Sequence, residues 1–232
     1  MTNVGFRIFA RATPPDDGVV RKLAAFRTTD LSDGLRRSAT MAGIAAIYPG
    51  IRAVAGPAVT VSVPVGGFNM IKMALARCEP GDVLVIAARG NTVNALWGGN
   101  LSLGAKRSGL AGVIVDGAVR DVREIQELDF PVFAAAIATS ADGLDIPYGE
   151  INVPVACGRI VVNPGDVVIA DEDGVVCIRP EDASAVLEAT KRVVSGHAAL
   201  RPVLERGDVT SRAEIEESLL RGGLTVVDEK WR

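Results

Sequence analysis

Apolar residues along this chain follow two patterns, which change over near Pro180. Before that point, short β-branched runs alternate with helix-spaced segments. Ala58-Val59-Thr60-Val61-Ser62-Val63 alternates as a half-buried strand does, and Gly56-Pro57 marks its start. Val83 to Ala87 and Val113-Ile114-Val115 are continuous apolar runs, the pattern of buried strands. Pro131 to Ala136 and Ile151 to Val155 predict two more. Ile160 to Asn163 and Val167 to Ala170 predict a hairpin, with Gly174 to Ile178 returning across it. Helical spacing appears from Val19 to Phe26, and again through Leu31 and Leu35 behind a Thr28-Thr29-Asp30 cap. Gly66-Gly67-Phe68-Asn69 leads into a third helix with Ile71, Ala74 and Leu75 on one face, Asn69 being its expected N-cap. Residues 1–17 predict a loosely held arm. Beyond Pro180, Glu181 to Arg206 is charged, alanine-rich and periodic, which predicts one or two helices stopped at Gly207. A last helix from Ala213 to Leu220 ends at Arg221-Gly222-Gly223.

The chain is organised around Trp97 to Glu124, WGGNLSLGAKRSGLAGVIVDGAVRDVRE. The strand Val113–Val115 is expected to end at the turn signal Asp116-Gly117. Arg120-Asp121 then opens a helix with Val122, Ile125 and Leu128 on one face, and Gly98-Gly99-Asn100 precedes another from Leu101 to Arg107. Two helix starts therefore flank one buried strand. Their unpaired N–H groups and positive dipole ends suit a small anion. On local pattern alone, Asp121 and Glu124 form most of a capping box, and Arg120 is an ordinary surface charge. One internal echo stands out: Pro80-Gly81-Asp82-Val83 recurs as Pro164-Gly165-Asp166-Val167, a tight turn feeding a buried strand twice.

Composition narrows the chemistry. A chain of 232 residues, 48% hydrophobic, can bury a substantial core. A net charge of −3, few aromatics and no basic stripe argue against nucleic acid. Cys78, Cys157 and Cys177 form no C-x-x-C pair, which argues against a thiolate zinc site or a disulfide framework. No apolar run approaches the ~20 residues of a membrane span, and the first residues lack a signal-peptide core. A soluble, cytoplasmic protein without a membrane partner is expected. The single histidine, His197, comes without a G-x-S-x-G elbow. Neither a Walker loop nor a G-x-G-x-x-G fingerprint occurs. Lys106, beside Arg107, reads as solvated, a poor Schiff-base lysine.

The spacing of Gly99, twenty residues, Arg120-Asp121, two residues and Glu124 resembles the signature of the regulator of ribonuclease E activity A (RraA) family. The resemblance runs from about Leu31 to Ile178 and takes in YPGIRAVAGPAVTV, PGDVLVI, LDFPVFA, GEINVPVACG and NPGDVVIADEDGVV. It implies an α/β fold, a single-domain ββα sandwich of the swivelling type over residues 1–180, with C-terminal helices (181–232) packing on a neighbouring subunit of a homotrimer or hexamer. It implies a divalent-metal-dependent lyase of the 4-hydroxy-4-methyl-2-oxoglutarate aldolase and oxaloacetate decarboxylase type, acting on a small 2-oxo acid. In that reading Asp121 ligates Mg²⁺ or Mn²⁺, and Arg120 binds the substrate carboxylate and the enolate oxygen. The N–H groups of Asn100 and Leu101 complete the anion cradle beside Gly99, and Glu124 supports the pair. The family's aldolases carry a carboxylate at the position of Gly99, so decarboxylation is expected to survive better here than aldol cleavage. The family also offers an alternative, a non-catalytic protein that binds and inhibits ribonuclease E.

Overall fold

A computed structural model describes residues 3–64, 67–141, 146, 148–207 and 212–231. In chain order these form β1 (Phe6–Ile8), α1 (Asp17–Leu23), α2 (Thr28–Gly34), β2 (Ala45–Ala46), β3 (Val54–Ser62), α3 (Phe68–Leu75) and β4 (Val83–Trp97). There follow α4 (Gly99–Arg107), β5 (Gly112–Val119), α5 (Val122–Glu127), β6 (Val132–Ile137), β7 (Gly149–Ile151), β8 (Val155–Cys157) and β9 (Ile160–Val162). Last come β10 (Val167–Asp171), β11 (Gly174–Ile178), a single 3₁₀ turn, α6 (Ala183–Glu205) and α7 (Arg212–Arg221).

The main sheet has the order β1-β7-β3-β4-β5-β6-β2, and β3 through β6 run parallel. Such strands are covered on both faces, which is why Val83 to Ile86 and Val113 to Val115 are wholly apolar and fully buried. β3 is shared. Its first half, Val54 to Pro57, pairs with β10 in a second sheet, and its second half, Ala58 to Ser62, pairs with β4 in the first. The β10–β11 hairpin is buried on both faces. Val168, Ala170, Val175 and Cys177 join the main core, while Val167, Ile169, Val176 and Ile178 pack with Leu23 of α1, Leu31 of α2 and Val186 and Leu187 of α6. Sheet, sheet and helix layer give the expected ββα sandwich. The chain divides into two compact units, residues 1–191 and 192–232. In the second, α7 closes with Gly223 N–H on the Leu220 carbonyl and Leu224 N–H on that of Leu219, the glycine-assisted stop its sequence predicts.

Several local expectations are corrected. The N-terminal arm is tied down: β1 pairs in parallel with β7, and Arg11 grips the buried Asp82 with two hydrogen bonds of 2.5 and 2.7 Å. Thr28 is not a cap. It is the first residue of α2, and its N–H and Oγ1 donate to Asp171 at 2.8 and 2.5 Å, a partner 143 residues away. Asn69 is not a cap either, since Gly67 holds that position and Asn69 Oδ1 accepts from Lys72; Gly66 lies outside the described residues. The expected 160–170 hairpin does not form, because β9 pairs back onto β8 while β10 pairs with β11 and β3. β5 does not stop at Asp116-Gly117 but continues to Val119. β4 there makes an excursion between Ala87, opposite Asp116, and Ala95, opposite Ala118. A Cβ on Gly117 would lie 3.1 Å from the Asn91 carbonyl oxygen, so this glycine serves close backbone approach, not a turn. The repeated Pro-Gly-Asp-Val segments are the same turn twice. Gly81 and Gly165 have φ of 90° and 86°, and Asp82 and Asp166 each accept from the backbone N–H three residues back.

Candidate functional site

Parallel strands deliver their C-terminal ends to one edge of a sheet, where the following helices begin. β4 ends at Trp97 and β5 at Val119, and Arg120 N–H donates to the Trp97 carbonyl at 3.0 Å. The start of α4 is anchored beneath them. Buried Trp97 donates its indole N–H to Ser102 Oγ at 2.7 Å, and Ser102 Oγ donates on to the Gly98 carbonyl at 3.0 Å. No spacing or motif in the sequence signals this Trp97–Ser102 link.

Asp121 adopts a left-handed backbone conformation, φ 58° and ψ 36°, at the N-cap of α5. Aspartate is among the few side chains that tolerate it. Its carboxylate makes no cap to its own helix. Instead Oδ2 accepts the Gly99 N–H of α4 at 3.1 Å and lies 3.6 Å from Arg120 Nε. The capping-box reading of Asp121 and Glu124 is therefore not the one the fold adopts. Glu124 leans across to α4 as well: a Cβ built on Gly99 would fall on its carboxyl group, 2.7 Å from Oε1. A Cβ on Gly98 would lie 2.5 Å from Asp121 Oδ2. Both glycines of the Trp-Gly-Gly-Asn run are bare because two carboxylates occupy the space their side chains would need.

Asn100, Leu101, Arg120 and Asp121 line one cavity of about 190 Å³, together with Gly98 and Phe68. Its size suits a small metabolite, below the range of drug-sized sites. Gly99 contributes its N–H to Asp121, and Glu124 stands behind it, not on the cavity wall. The N–H groups of Asn100 and Leu101 belong to the first turn of α4, which lacks intrahelical acceptors. Arg120 and Asp121 are half-exposed, at 46% and 39% of their side-chain surface, so their ion pair does little for stability and stays available to a ligand. Among the described residues no three His, Cys, Asp or Glu side chains gather as a metal cage. A single open carboxylate without imidazole or thiolate nearby nonetheless fits a hard cation that keeps most of its water. Lys106 donates to the Leu128 carbonyl at the end of α5, so it is no Schiff-base candidate. The cysteines are free, and burial pushes the Cys78 and Cys157 thiols up to about 12.

The chain matches a known family over most of its length. The model of the RraA-like family, Aldolase/RraA, covers residues 28–177, and the chain belongs to that family. Among its relatives is a Thermus thermophilus protein named 4-hydroxy-4-methyl-2-oxoglutarate aldolase, 35% identical over 160 residues, which are 69% of this chain and 96% of the relative. Streptomyces coelicolor RraAS2, described as an unusual member of the RNase ES inhibitor RraA protein family, superposes with a TM-score of 0.73 at 28% identity, covering 82% of this chain and 98% of that one. The RNA-processing inhibitor RraA from Thermus superposes with a TM-score of 0.58 at 34% identity, over 66% and 93%. No helix among the described residues is long and apolar enough to cross a membrane.

Proposed function

We propose that this chain is a divalent-metal-dependent carbon–carbon lyase acting on a small 2-oxo acid, with oxaloacetate decarboxylation the reaction it is best equipped for. One observation carries the reading: Arg120, Asp121 and the first turn of α4 face a single small cavity at the ends of two parallel strands. The aldolase name of the Thermus thermophilus relative supports the same class of chemistry. Asp121 would hold Mg²⁺ or Mn²⁺, which when bound supplies a Lewis acid for the keto and carboxylate oxygens. Arg120 offers a planar fork to the substrate carboxylate and to the oxygen that gathers charge as the bond breaks. The N–H groups of Asn100 and Leu101, at the positive end of α4, add preorganised donors for that charge. In oxaloacetate the C3–C4 bond breaks, its electrons move onto the C2 oxygen as an enolate, CO₂ leaves and a proton later returns to C3. No base is needed to start this. Aldol cleavage does need one, to remove the substrate hydroxyl proton. Gly99 cannot serve; Glu124, whose carboxyl lies against Gly99 behind the cavity wall, would take that proton through a bridging water.

The test is steady-state oxaloacetate decarboxylation with and without Mg²⁺, in wild type and in Asp121→Ala. A metal-dependent rate falling about 10²-fold or more in the variant is expected; equal rates would overturn the assignment. Glu124→Gln is expected to lose aldol cleavage more than decarboxylation, and an equal loss would remove its role as base. A homotrimer or hexamer in solution belongs to this reading. The likeness to RraAS2 favours a second reading, a non-catalytic inhibitor of ribonuclease E. That reading predicts ribonuclease E binding that is indifferent to metal and to Asp121→Ala.

A further inference from the structure

The two Pro-Gly-Asp-Val turns share their backbone but not their surroundings. At the first, Asp82 is buried, and Arg11 occupies both carboxylate oxygens through its fork. At the second, Asp166 is also buried, 3% exposed, yet among the described residues no arginine donates to its carboxylate. The hydrogen bonds it accepts among the described residues, from Asn163 and Cys177, all arrive at Oδ2. Asp166 lines a cavity of about 380 Å³, larger than the Arg120–Asp121 site and sharing no residue with it. The guanidinium on that wall, of Arg179, is engaged by Asp182 at 2.6 and 2.8 Å. The charged groups lining the cavity are thus two aspartates against one arginine, and Leu35, Ile160 and Val161 supply an apolar side. Burial raises the Asp166 carboxyl above its ordinary range, in keeping with a buried acid that lacks a full counter-charge.

We propose that this cavity binds a small guanidinium compound, its fork on Asp166 as Arg11 lies on Asp82 and its alkyl body against Leu35, Ile160 and Val161. The planar fork suits a carboxylate better than an ammonium point charge does, which fixes the selectivity. Calorimetric titration of the full-length protein with butylguanidinium, and with butylammonium for comparison, tests it. Saturable one-to-one binding, about tenfold tighter for the guanidinium, is expected, with a loss of about tenfold or more in Asp166→Asn. Val161→Trp fills the cavity from its exposed rim without touching the carboxylate, and it should abolish binding even where Asp166→Asn fails to fold. No saturable heat, equal affinity for the ammonium, or unchanged binding in Val161→Trp would each overturn the proposal. Acetylarginine amide separates a free compound from an arginine borne on another protein. Tighter binding of the blocked residue than of butylguanidinium would overturn the assignment to a free ligand.

Discussion

Gly99 shows how much one absent methyl can decide. With a side chain there, the Glu124 carboxyl must swing away, and because that carboxyl is the far end of a flexible, exposed side chain, the swing is cheap for the fold. Gly99→Ala is therefore expected to cost under about 1 kcal/mol of stability while lowering aldol turnover as Glu124→Gln does. The double variant should be no worse than either single one, since both act through one group. Thermal melts beside aldolase assays check this, and additive losses would refute it. Asp116 allows a pH test. Burial raises its carboxyl, with partial compensation from the N–H groups of Gly158 and Gly90. A group raised in the folded state favours folding below its unfolded pKa, and that contribution is lost as pH rises through the folded value. Asp116→Asn removes the titration, so its melting temperature relative to wild type should rise between pH 4 and pH 7. A difference that stays flat or falls would contradict the burial argument.

At the scale of elements, the Arg11–Asp82 pair fastens the N-terminal arm to the turn before β4. Arg11→Ala leaves Asp82 in the interior without its cation, a loss of about 3 kcal/mol by the measure of broken buried pairs. Asp82→Asn together with Arg11→Ala should recover part of it in denaturant melts, and no recovery would show that the arm matters through packing instead. Elements whose signals are local were legible in the sequence: the buried strands at 83 and 113, the helix after Gly98-Gly99 and the stop at Gly222-Gly223. Those settled by distant partners were not. Thr28 looks like a cap until Asp171 arrives from β10, and Asp116-Gly117 looks like a turn until β4 bulges against it. The hairpin expected at 160–170 failed because β10 finds β3, over a hundred residues earlier in the chain. The site was half legible. Resemblance supplied Arg120 and Asp121, but the outward turn of Asp121 onto α4, and Glu124 beside Gly99, depend on a left-handed backbone residue that no pattern announces.

For the whole molecule, unit 192–232 exposes Leu200, Leu204, Ile215, Leu219 and Leu220, more apolar surface than isolated helices keep in water. Sedimentation of the full chain is expected to give a trimer or hexamer, and a monomer at micromolar concentration would refute the assembly. The strand common to both sheets has a wider bearing. A β-layer that lends half a strand to each neighbour cannot let one neighbour melt while the other stays whole. Heat or denaturant should therefore take residues 54 to 178 apart in a single cooperative step. A lesion in the hairpin near Asp171 would then weaken the sheet edge that carries the candidate site without touching it, much as a slipped keystone loosens both sides of an arch.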